Sequence, residues 1–330
     1  MQRLNRDVFN RPDLVMGNLC ALVSHVERRL AAEPSELDGR RWEIPRIVST
    51  RDSDRLWVEQ DGQFWRTITY IGAATTTDVI ADCSHAREVG YGLGMFHNLI
   101  SDLPVNELAD TLENFHVTPA YLQHYDSTLN ALNVSEKLEL HSQPRLVAAM
   151  DFVELHRADV DVLEVALANA ELSKRPIHGD PKINNVMIDD STGQAVALID
   201  LDTVKPGLVH YDIGDCLRSC CNPAGEEAND LDDVFFDLCL CEAILEGYFS
   251  VAGGFLEERD YRYLPECIRL IPFELGLRFL TDYLNGNIYF RTSRSLQNLD
   301  RAEVQFRLTQ SIESQWDGII EMIKRLTPTG

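Results

Sequence analysis

The spacing of apolar residues predicts one amphipathic helix near the start of the chain. Asn10 can cap this helix and Pro12 suits its first turn; the apolar residues that follow recur on one face through Arg29, namely Val15, Leu19, Leu22 and Val26. Further along, alternating residues predict strands at 55–60 and 63–71, because the Asp61-Gly62 pair between them is typical of a tight hairpin turn.

Beyond residue 72 the pattern becomes mostly helical. Apolar periodicity predicts helices at about 79–101, 118–132, 144–171, 211–220, 228–250, 259–284 and 301–326. One hairpin interrupts them, with a strand at 186–188, a turn at 190–193 and a return strand at 195–201. The period of two along the return strand would place Asp200 and Asp202 on one face. An α+β protein is therefore predicted.

Polar residues around this hairpin indicate chemistry. Residues 178–185 are His-Gly-Asp-Pro-Lys-Ile-Asn-Asn, and 199–202 are Ile-Asp-Leu-Asp. Asp180 can accept a hydroxyl proton, while the amide of Asn185 and the carboxylate of Asp200 can hold Mg²⁺. This spacing is typical of a phosphotransferase active site.

The neighbouring polar residues have supporting roles in this interpretation. Lys182 can reach a transferring phosphoryl group as a point charge, His178 can brace the loop by hydrogen bonds, and Asp202 is a second candidate metal ligand. Taken singly, His-Gly-Asp or Asp-x-Asp more often belongs to a turn or a helix cap. Their combination around one hairpin favours an active site.

The segment 177–222 carries a family resemblance. With HGDPKINNVMIDD and ALIDLDTVKPGLVHYDIGDCLR, it resembles the aminoglycoside phosphotransferase-like kinases. Within them the chain is most similar to N-acetylhexosamine 1-kinases, on QRLNRDVFNRPDLVMGN at the start, ENFHVTPAYLQ at 113–123 and FELGLRFLTDYLNGNIYF at 273–290.

The resemblance implies a protein-kinase-like, two-lobed fold. A small β-rich N-lobe would span residues 1–72 and end in a hinge, and a large, mostly α-helical C-lobe would span 73–330 with the catalytic loop and the substrate site. ATP would lie in the cleft, with its adenine at the hinge backbone of Tyr70 and Ile71.

The resemblance also implies substrate contacts. Carried over by position, Arg278 and Tyr289 would contact a sugar, and Arg218 is a third candidate at the substrate site. The alternatives are an ion pair on a long helix for Arg278 and a half-buried aromatic role for Tyr289. Arg218 would then be a structural partner of the acidic residues near it, Asp212 and Asp215.

The glycine-rich loop of kinases is missing from the sequence. Kinase-like folds usually begin with two strands joined by this loop, whose backbone covers the ATP phosphates. Residues 1–5 instead resemble the third strand, with Arg3 in the place of the phosphate-contacting cation; a solvated Arg3 is the alternative. We expect either an incomplete N-lobe, with a true start upstream of Met1, or a pseudokinase that binds sugar or nucleotide with little catalysis.

Composition narrows the partners. The 330 residues are 45% hydrophobic and carry a formal net charge of −23, which disfavours nucleic acid and anionic membrane surfaces as partners. Without a signal sequence or an apolar run of about twenty residues, a cytoplasmic protein is expected. Its eight cysteines should then be reduced thiols. Nothing in the sequence indicates an oligomeric state.

The sequence therefore predicts an ATP- and Mg²⁺-dependent kinase that phosphorylates a sugar hydroxyl, the anomeric hydroxyl of an N-acetylhexosamine. The alternative is another small hydroxylated substrate, such as an aminoglycoside, choline or homoserine. A cationic substrate could use an acidic cluster formed by Glu226, Glu227, Asp230, Asp232 and Asp233. The same cluster can also be a solvated helix start, where acidic residues favour the positive end of the dipole.

Overall fold

The structure is a computed structural model that describes residues 1–6, 8–32, 37–51 and 56–327. Its strands and helices in chain order are β1 (Gln2–Leu4), α1 (Pro12–Ala32), β2 (Trp57–Gln60), β3 (Gln63–Arg66), β4 (Ala74–Thr75), α2 (Cys83–Ile100), α3 (Thr118–Ala131), α4 (Val134–His141), α5 (Pro144–His156), α6 (Val162–Ala168), β5 (Arg175–Ile177), β6 (Val186–Asp189), β7 (Ala195–Leu198), β8 (Lys205–Gly207), α7 (Val209–Cys220), α8 (Leu238–Ala252), α9 (Glu258–Arg262), α10 (Leu264–Leu284), α11 (Gln297–Ser314) and α12 (Trp316–Leu326).

The first strands form a small antiparallel sheet in the order β1-β3-β2. Its buried side chains, Leu4 and Phe64, pack against Val15 and Met16 of α1, so the predicted first helix supports the sheet. Strand β3 ends at Arg66, not at residue 71 as predicted, because both partners end there: Arg66 pairs with Gln2 and with Trp57. The predicted start of the preceding strand, at Arg55, lies outside the described residues.

Two further antiparallel sheets carry the predicted catalytic segment. The first has the order β4-β6-β7, and the second joins β5 to β8. Strand β7 ends at Leu198, because Asp200 has a left-handed backbone with φ of 63° and Leu201–Thr203 forms a 3₁₀ turn. The prediction that Asp200 and Asp202 share a strand face is therefore wrong.

The helical prediction is confirmed for α2, α3 and α7, with ends that differ by a few residues. The predicted helix at 144–171 is divided between α5 and α6. The sequence did not indicate this break, because the apolar positions Val153, Val160 and Leu163 keep helical spacing across it. The predicted helix at 228–250 begins only at Leu238, where Asp237 caps it by accepting from two backbone N–H groups. The predicted helices at 259–284 and 301–326 are each divided in two, at Tyr263 and Gln315.

The main core lies in the helical part of the molecule, where α2 packs along α8. The two helix backbones approach so closely that a Cβ at Gly90 would overlap the carbonyl oxygen of Ile244, and one at Gly247 would overlap that of Arg87. This pair of helices underlies the β6-β7 hairpin, since Gly92 of α2 faces Val186 and Ala195. None of the described helices has the length and apolarity needed to cross a membrane.

Candidate active site

The predicted catalytic loop, residues 178–185, connects β5 to β6. Gly179 has a φ of +89°, and a Cβ there would lie 2.7 Å from the carbonyl oxygen of Thr203. Only glycine fits this position without strain. The hydroxyl of Thr203 donates to the carbonyl of His178 at 2.8 Å, which joins the loop to the turn that follows Asp200.

The two backbone N–H groups that precede Asp180 share one carboxylate. Asp212, which is fully buried on α7, accepts from the N–H of His178 at 2.6 Å and from that of Gly179 at 2.8 Å. The ring of His97 contacts the same carboxylate at 2.8 Å. Asp212 therefore holds the predicted catalytic loop, whereas the sequence analysis treated it only as a structural partner of Arg218.

His178 braces the loop as a neutral imidazole. Its Nδ1 accepts from the N–H of Asp180 at 3.2 Å, so the ring proton lies on Nε2, which donates to the carbonyl of Ile199 at 2.9 Å. The side chain thus joins the loop to the residue before Asp200.

Asp180 lies in a partly buried, charged environment. Its carboxylate contacts Nζ of Lys182 at 2.8 Å. Burial raises the pKa of Asp180 and the negative charge of Asp215 adds to the rise, while Lys182 opposes it. A raised pKa improves a carboxylate as a proton acceptor, because its conjugate acid holds the proton more strongly.

Arg218 forms ion pairs with two acidic residues. It contacts Asp215 at 2.8 Å on the same helix and Glu226 at 3.6 Å, with 8% of its side chain exposed. Burial acts to raise the pKa of Asp215, but the charges of Arg218 and His116 lower it overall. The geometry fits the structural alternative for Arg218.

A cavity of about 620 Å³ lies between the first sheet and the catalytic hairpin. Its lining includes Tyr70, Ile71 and the candidate metal ligands Asn185, Asp200 and Asp202. No hydrogen bond joins the backbone groups of Tyr70 or Ile71 to another residue of the described chain. These groups are therefore available to a ligand in the cavity.

Two of the candidate metal ligands have oxygen atoms free for a cation. Asn185 donates from Nδ2 to the carbonyl of Asp180 at 2.7 Å, which leaves its Oδ1 as the ligand atom, and Asp200 is exposed beside it. Among the described residues no group of three or more His, Cys, Asp and Glu side chains could hold a metal. One carboxylate and one amide still suit Mg²⁺, which retains waters and binds phosphate oxygens.

Asp202 has a different partner. It contacts Arg66 at 2.5 Å, and both side chains are largely buried. Burial raises the pKa of Asp202, against the lowering effect of Arg66. Arg66 lines the first cavity, as does Gln2, its partner across the sheet. Arg3, the next residue after Gln2, is exposed and is not part of the cavity lining. Sequence reasoning missed Arg66; its position at the end of the strand that leads into the hinge was the available signal.

A second cavity, of about 330 Å³, lies beside α10 and includes both predicted sugar contacts, Arg278 and Tyr289. The Arg278 guanidinium lies 5.2 Å from the ring centre of Phe115, 4.9 Å from Tyr121 and 5.5 Å from Phe290. No carboxylate of the described residues forms an ion pair with it. The ion-pair alternative for Arg278 is therefore not supported within the described chain.

Tyr289 lies on a loop held by one carboxylate. Both oxygens of Asp282 accept hydrogen bonds from backbone N–H groups, those of Ile288, Tyr289 and Phe290, at 2.8–3.0 Å. The amide of Asn298 donates to the same carboxylate at 2.8 Å. Tyr289 is 62% exposed, so its ring is accessible from the cavity.

A small sheet, a hinge, a catalytic loop and a larger helical part together define a protein-kinase-like fold. Residues 25–236 match the family model of the APH phosphotransferase enzyme family, more than half of the chain, and the chain belongs to this family. It is a small-molecule phosphotransferase that acts on hydroxyl groups.

Two solved structures illustrate the shared fold. An aminoglycoside phosphotransferase from Alicyclobacillus acidocaldarius aligns over 90% of this chain and 84% of its own, with a TM-score of 0.60 and 16% identity. A microcompartment-associated aminopropanol kinase aligns over 88% of this chain and 82% of its own, with a TM-score of 0.52 and 19% identity. At these identities the likeness shows the fold and leaves the acceptor open.

Proposed function

We propose that this protein transfers the γ-phosphoryl group of ATP, with Mg²⁺, to a sugar hydroxyl, the anomeric hydroxyl of an N-acetylhexosamine. The first cavity would take the nucleotide and the second the acceptor. The observation that carries the choice of acceptor is the Arg278 guanidinium, which lines the second cavity among aromatic rings and has no described carboxylate partner.

The nucleotide half of the proposal rests on the first cavity. The backbone groups of Tyr70 and Ile71, which have no hydrogen-bond partner among the described residues, can hydrogen-bond the edge of adenine. Asn185 and Asp200 would hold Mg²⁺, which when bound neutralises phosphate charge. Arg66, which is fixed by Asp202, replaces Arg3 as the cation proposed near the phosphates.

Asp180 would act as the base. It orients the acceptor hydroxyl and accepts its proton, while the oxygen bonds to the γ-phosphorus and the bond from that phosphorus to the β-phosphate oxygen breaks. Lys182, which contacts Asp180, also places a positive charge beside the transferring group. The hydrogen bonds of Asp212 and His178 keep the loop in place during this step.

Arg278 favours a neutral acceptor. A partly buried guanidinium attracts carbonyl and hydroxyl oxygens and repels the ammonium groups of aminoglycosides or choline. The lining has two carboxylates: Asp282 already accepts four hydrogen bonds, and Glu113 is exposed to solvent. The aromatic rings around Arg278 offer apolar faces to the C–H side of a sugar ring.

Two of the five residues in the acidic cluster considered for a cationic substrate pair with arginines of the protein. Glu226 contacts Arg218 and Arg301, and Glu227 also pairs with Arg301. These carboxylates are neutralised locally, which weakens the argument for a cationic acceptor.

An acceptor panel tests the proposal. Purified protein with ATP and Mg²⁺ should release ADP with N-acetylglucosamine or N-acetylgalactosamine, and ³¹P spectra should show an acid-labile anomeric phosphate. Arg278→Met should raise the acceptor KM about tenfold or more, because a guanidinium contact to a neutral group contributes roughly 1.5 kcal/mol. ADP release with aminoglycosides or choline but not with sugars would reject the acceptor assignment; nucleotide binding without turnover on any acceptor would favour a pseudokinase.

A further inference from the structure

His116 is a buried histidine that contacts the catalytic loop and is not part of the proposed chemistry. Its backbone is left-handed, with φ of 65°, and its side chain is 4% exposed. Nε2 lies 3.0 Å from the carbonyl oxygen of Gly179, and Nδ1 lies 2.9 Å from Oε1 of Glu274. The left-handed backbone is uncommon for such a residue and marks a specific placement.

Both ring nitrogens face hydrogen-bond acceptors. A carbonyl oxygen can only accept, and the carboxylate of Glu274 already accepts from the hydroxyl of Thr118 through Oε2 at 2.8 Å. A neutral imidazole carries one N–H and would leave one nitrogen lone pair against an oxygen. The two contacts are satisfied together when His116 is an imidazolium ion paired with Glu274.

The surrounding charges support the protonated form. Burial acts to lower the pKa of His116, but the charge and the hydrogen bond of Glu274 raise it, with a further rise from Asp215 on α7. Arg278 on α10 opposes the rise, and the neutral ring of Tyr211 stacks on the imidazole at 5.6 Å. The net result is a raised pKa.

These contacts join the catalytic base to the acceptor cavity. The Gly179 carbonyl belongs to the peptide that leads into Asp180, and the N–H of the same peptide is held by His178. On the other side, Glu274 lies one helical turn before Arg278 on α10, and Phe115, the neighbour of His116, also lines the second cavity.

We propose that His116 is a positioning residue that holds the Gly179 peptide, and through it Asp180, toward the acceptor cavity while it is an imidazolium ion paired with Glu274. The kinetic part of this inference rests on the proposed kinase activity. Because the folded state binds the proton more tightly than a free histidine does, the contact is complete at low pH. It is lost as pH rises through the raised pKa of His116, and turnover should fall with it.

Glu274→Gln is the sharpest variant. The Gln amide can donate to Nδ1 of a neutral His116 and still accept from Thr118, so Nε2–H keeps its bond to Gly179 without an extra proton. We expect this variant to keep turnover within about tenfold of wild type and to lose the alkaline decline of kcat. Superimposable pH profiles for wild type and Glu274→Gln would overturn the proposal.

A matched control exists between α5 and α11. His156 also lies between a carbonyl and a carboxylate, that of Phe152 and that of Glu313, both at 2.8 Å. Glu313→Gln makes the same chemical change at this second site. It should leave the kcat profile as in wild type; an equal loss of the alkaline decline would show that the effect is not specific to the loop.

Nuclear magnetic resonance separates this inference from the proposed function. In uniformly ¹⁵N-labelled wild-type protein, both His116 nitrogens should keep imidazolium shifts to a higher pH than the nitrogens of free histidine do, and the Asp180 amide should titrate together with them. This readout requires no turnover, so it stands if no acceptor is found. A His116 that loses its proton at or below the pH at which free histidine does, or an Asp180 amide that ignores its titration, would reject the positioning role.

Discussion

At the scale of single residues, the environment of Asp180 combines opposite influences. Burial and the charge of Asp215 raise its pKa, and Lys182 opposes this at 2.8 Å. The loop backbone around Asp180 is hydrogen-bonded to Asp212 and His178. The Asp180 carboxylate therefore has little freedom to move away from the hydroxyl of a bound substrate. Asp180 is thus a fixed carboxylate with increased proton affinity, as the proposed role of base requires.

Asp180→Asn should abolish most of the turnover. The amide keeps the shape but cannot accept the hydroxyl proton, so kcat should fall by roughly 10²- to 10⁴-fold. Nucleotide affinity, measured by calorimetry, should change little, because Asp180 is not part of the first cavity. The control is Asp190→Asn, an exposed aspartate of the same hairpin. Turnover by Asp180→Asn at the level of this control would rule Asp180 out as the base.

The candidate site was only partly predictable at this scale. The local motif indicated Asp180, Asn185 and Asp200 as candidates, because they lie around one hairpin. Arg66 and His116 were missed because their roles depend on partners far along the chain, Asp202 and Glu274. Sequence spacing carries no information about such pairs.

At the scale of secondary-structure elements, the contact between α2 and α8 supports the catalytic hairpin. The backbones meet at Gly90 and Gly247, where no Cβ would fit. Close-packed interiors cannot absorb an added methyl group without moving a helix. A shift of α2 would reach the hairpin directly, since Gly92 contacts Val186.

Gly90→Ala should therefore lower the free energy of unfolding by about 3 kcal/mol. The matched control is Gly17→Ala, in the exposed face of α1, where a Cβ meets no atom within 4 Å. There the better helix propensity of alanine should raise the free energy of unfolding by about 0.5–1 kcal/mol. Urea unfolding of both variants measures the difference. A Gly90→Ala protein as stable as wild type would mean that the helices are less tightly packed than described.

Helix α4 and the ends of several helices were beyond sequence prediction. Helix α4 buries none of its residues, so it has no apolar stripe; a capping box between Asn133 and Glu136 defines its start. The break between α5 and α6 is hidden for the opposite reason, because buried residues continue at helical spacing across it. Apolar periodicity in a sequence indicates which residues are buried. It predicts where a helix ends only when the run of buried residues ends at the same place.

At the scale of the whole molecule, the first cavity, which we propose to hold the nucleotide, is bounded by parts distant in sequence. Gln2 and Arg66 come from the first sheet, Tyr70 from the hinge, and Asp200 from the segment after the β6-β7 hairpin. A ligand that contacts all of them stabilises their arrangement relative to the unfolded chain. The protein-kinase-like fold was predictable from the resemblance, but the closure of this cavity depends on packing between these parts.

Mg²⁺-ADP should accordingly stabilise the protein against unfolding. At about 100 times its dissociation constant, the expected gain is roughly 2.7 kcal/mol, visible as a higher Tm. Removal of Mg²⁺ with a chelator should reduce the stabilisation by ADP. In Asp200→Asn, the stabilisation measured with Mg²⁺ should nearly equal that measured with the chelator. Asp190→Asn should behave as wild type does. An undiminished Mg²⁺ effect in Asp200→Asn would exclude Asp200 as its ligand.

Helix α10 has a consequence for how acceptor preference can change. One rigid segment carries Glu274, which contacts the catalytic loop through His116, and also Arg278 and Asp282 at the acceptor cavity. A substitution on this helix that adapts the cavity to a new acceptor would also disturb the loop. The loop backbone at Tyr289 is held by Asp282 of the same helix, but the Tyr289 side chain is exposed. New acceptors should therefore be gained through the exposed side chains of this loop with little loss of rate, and through the helix only with compensating changes near His116.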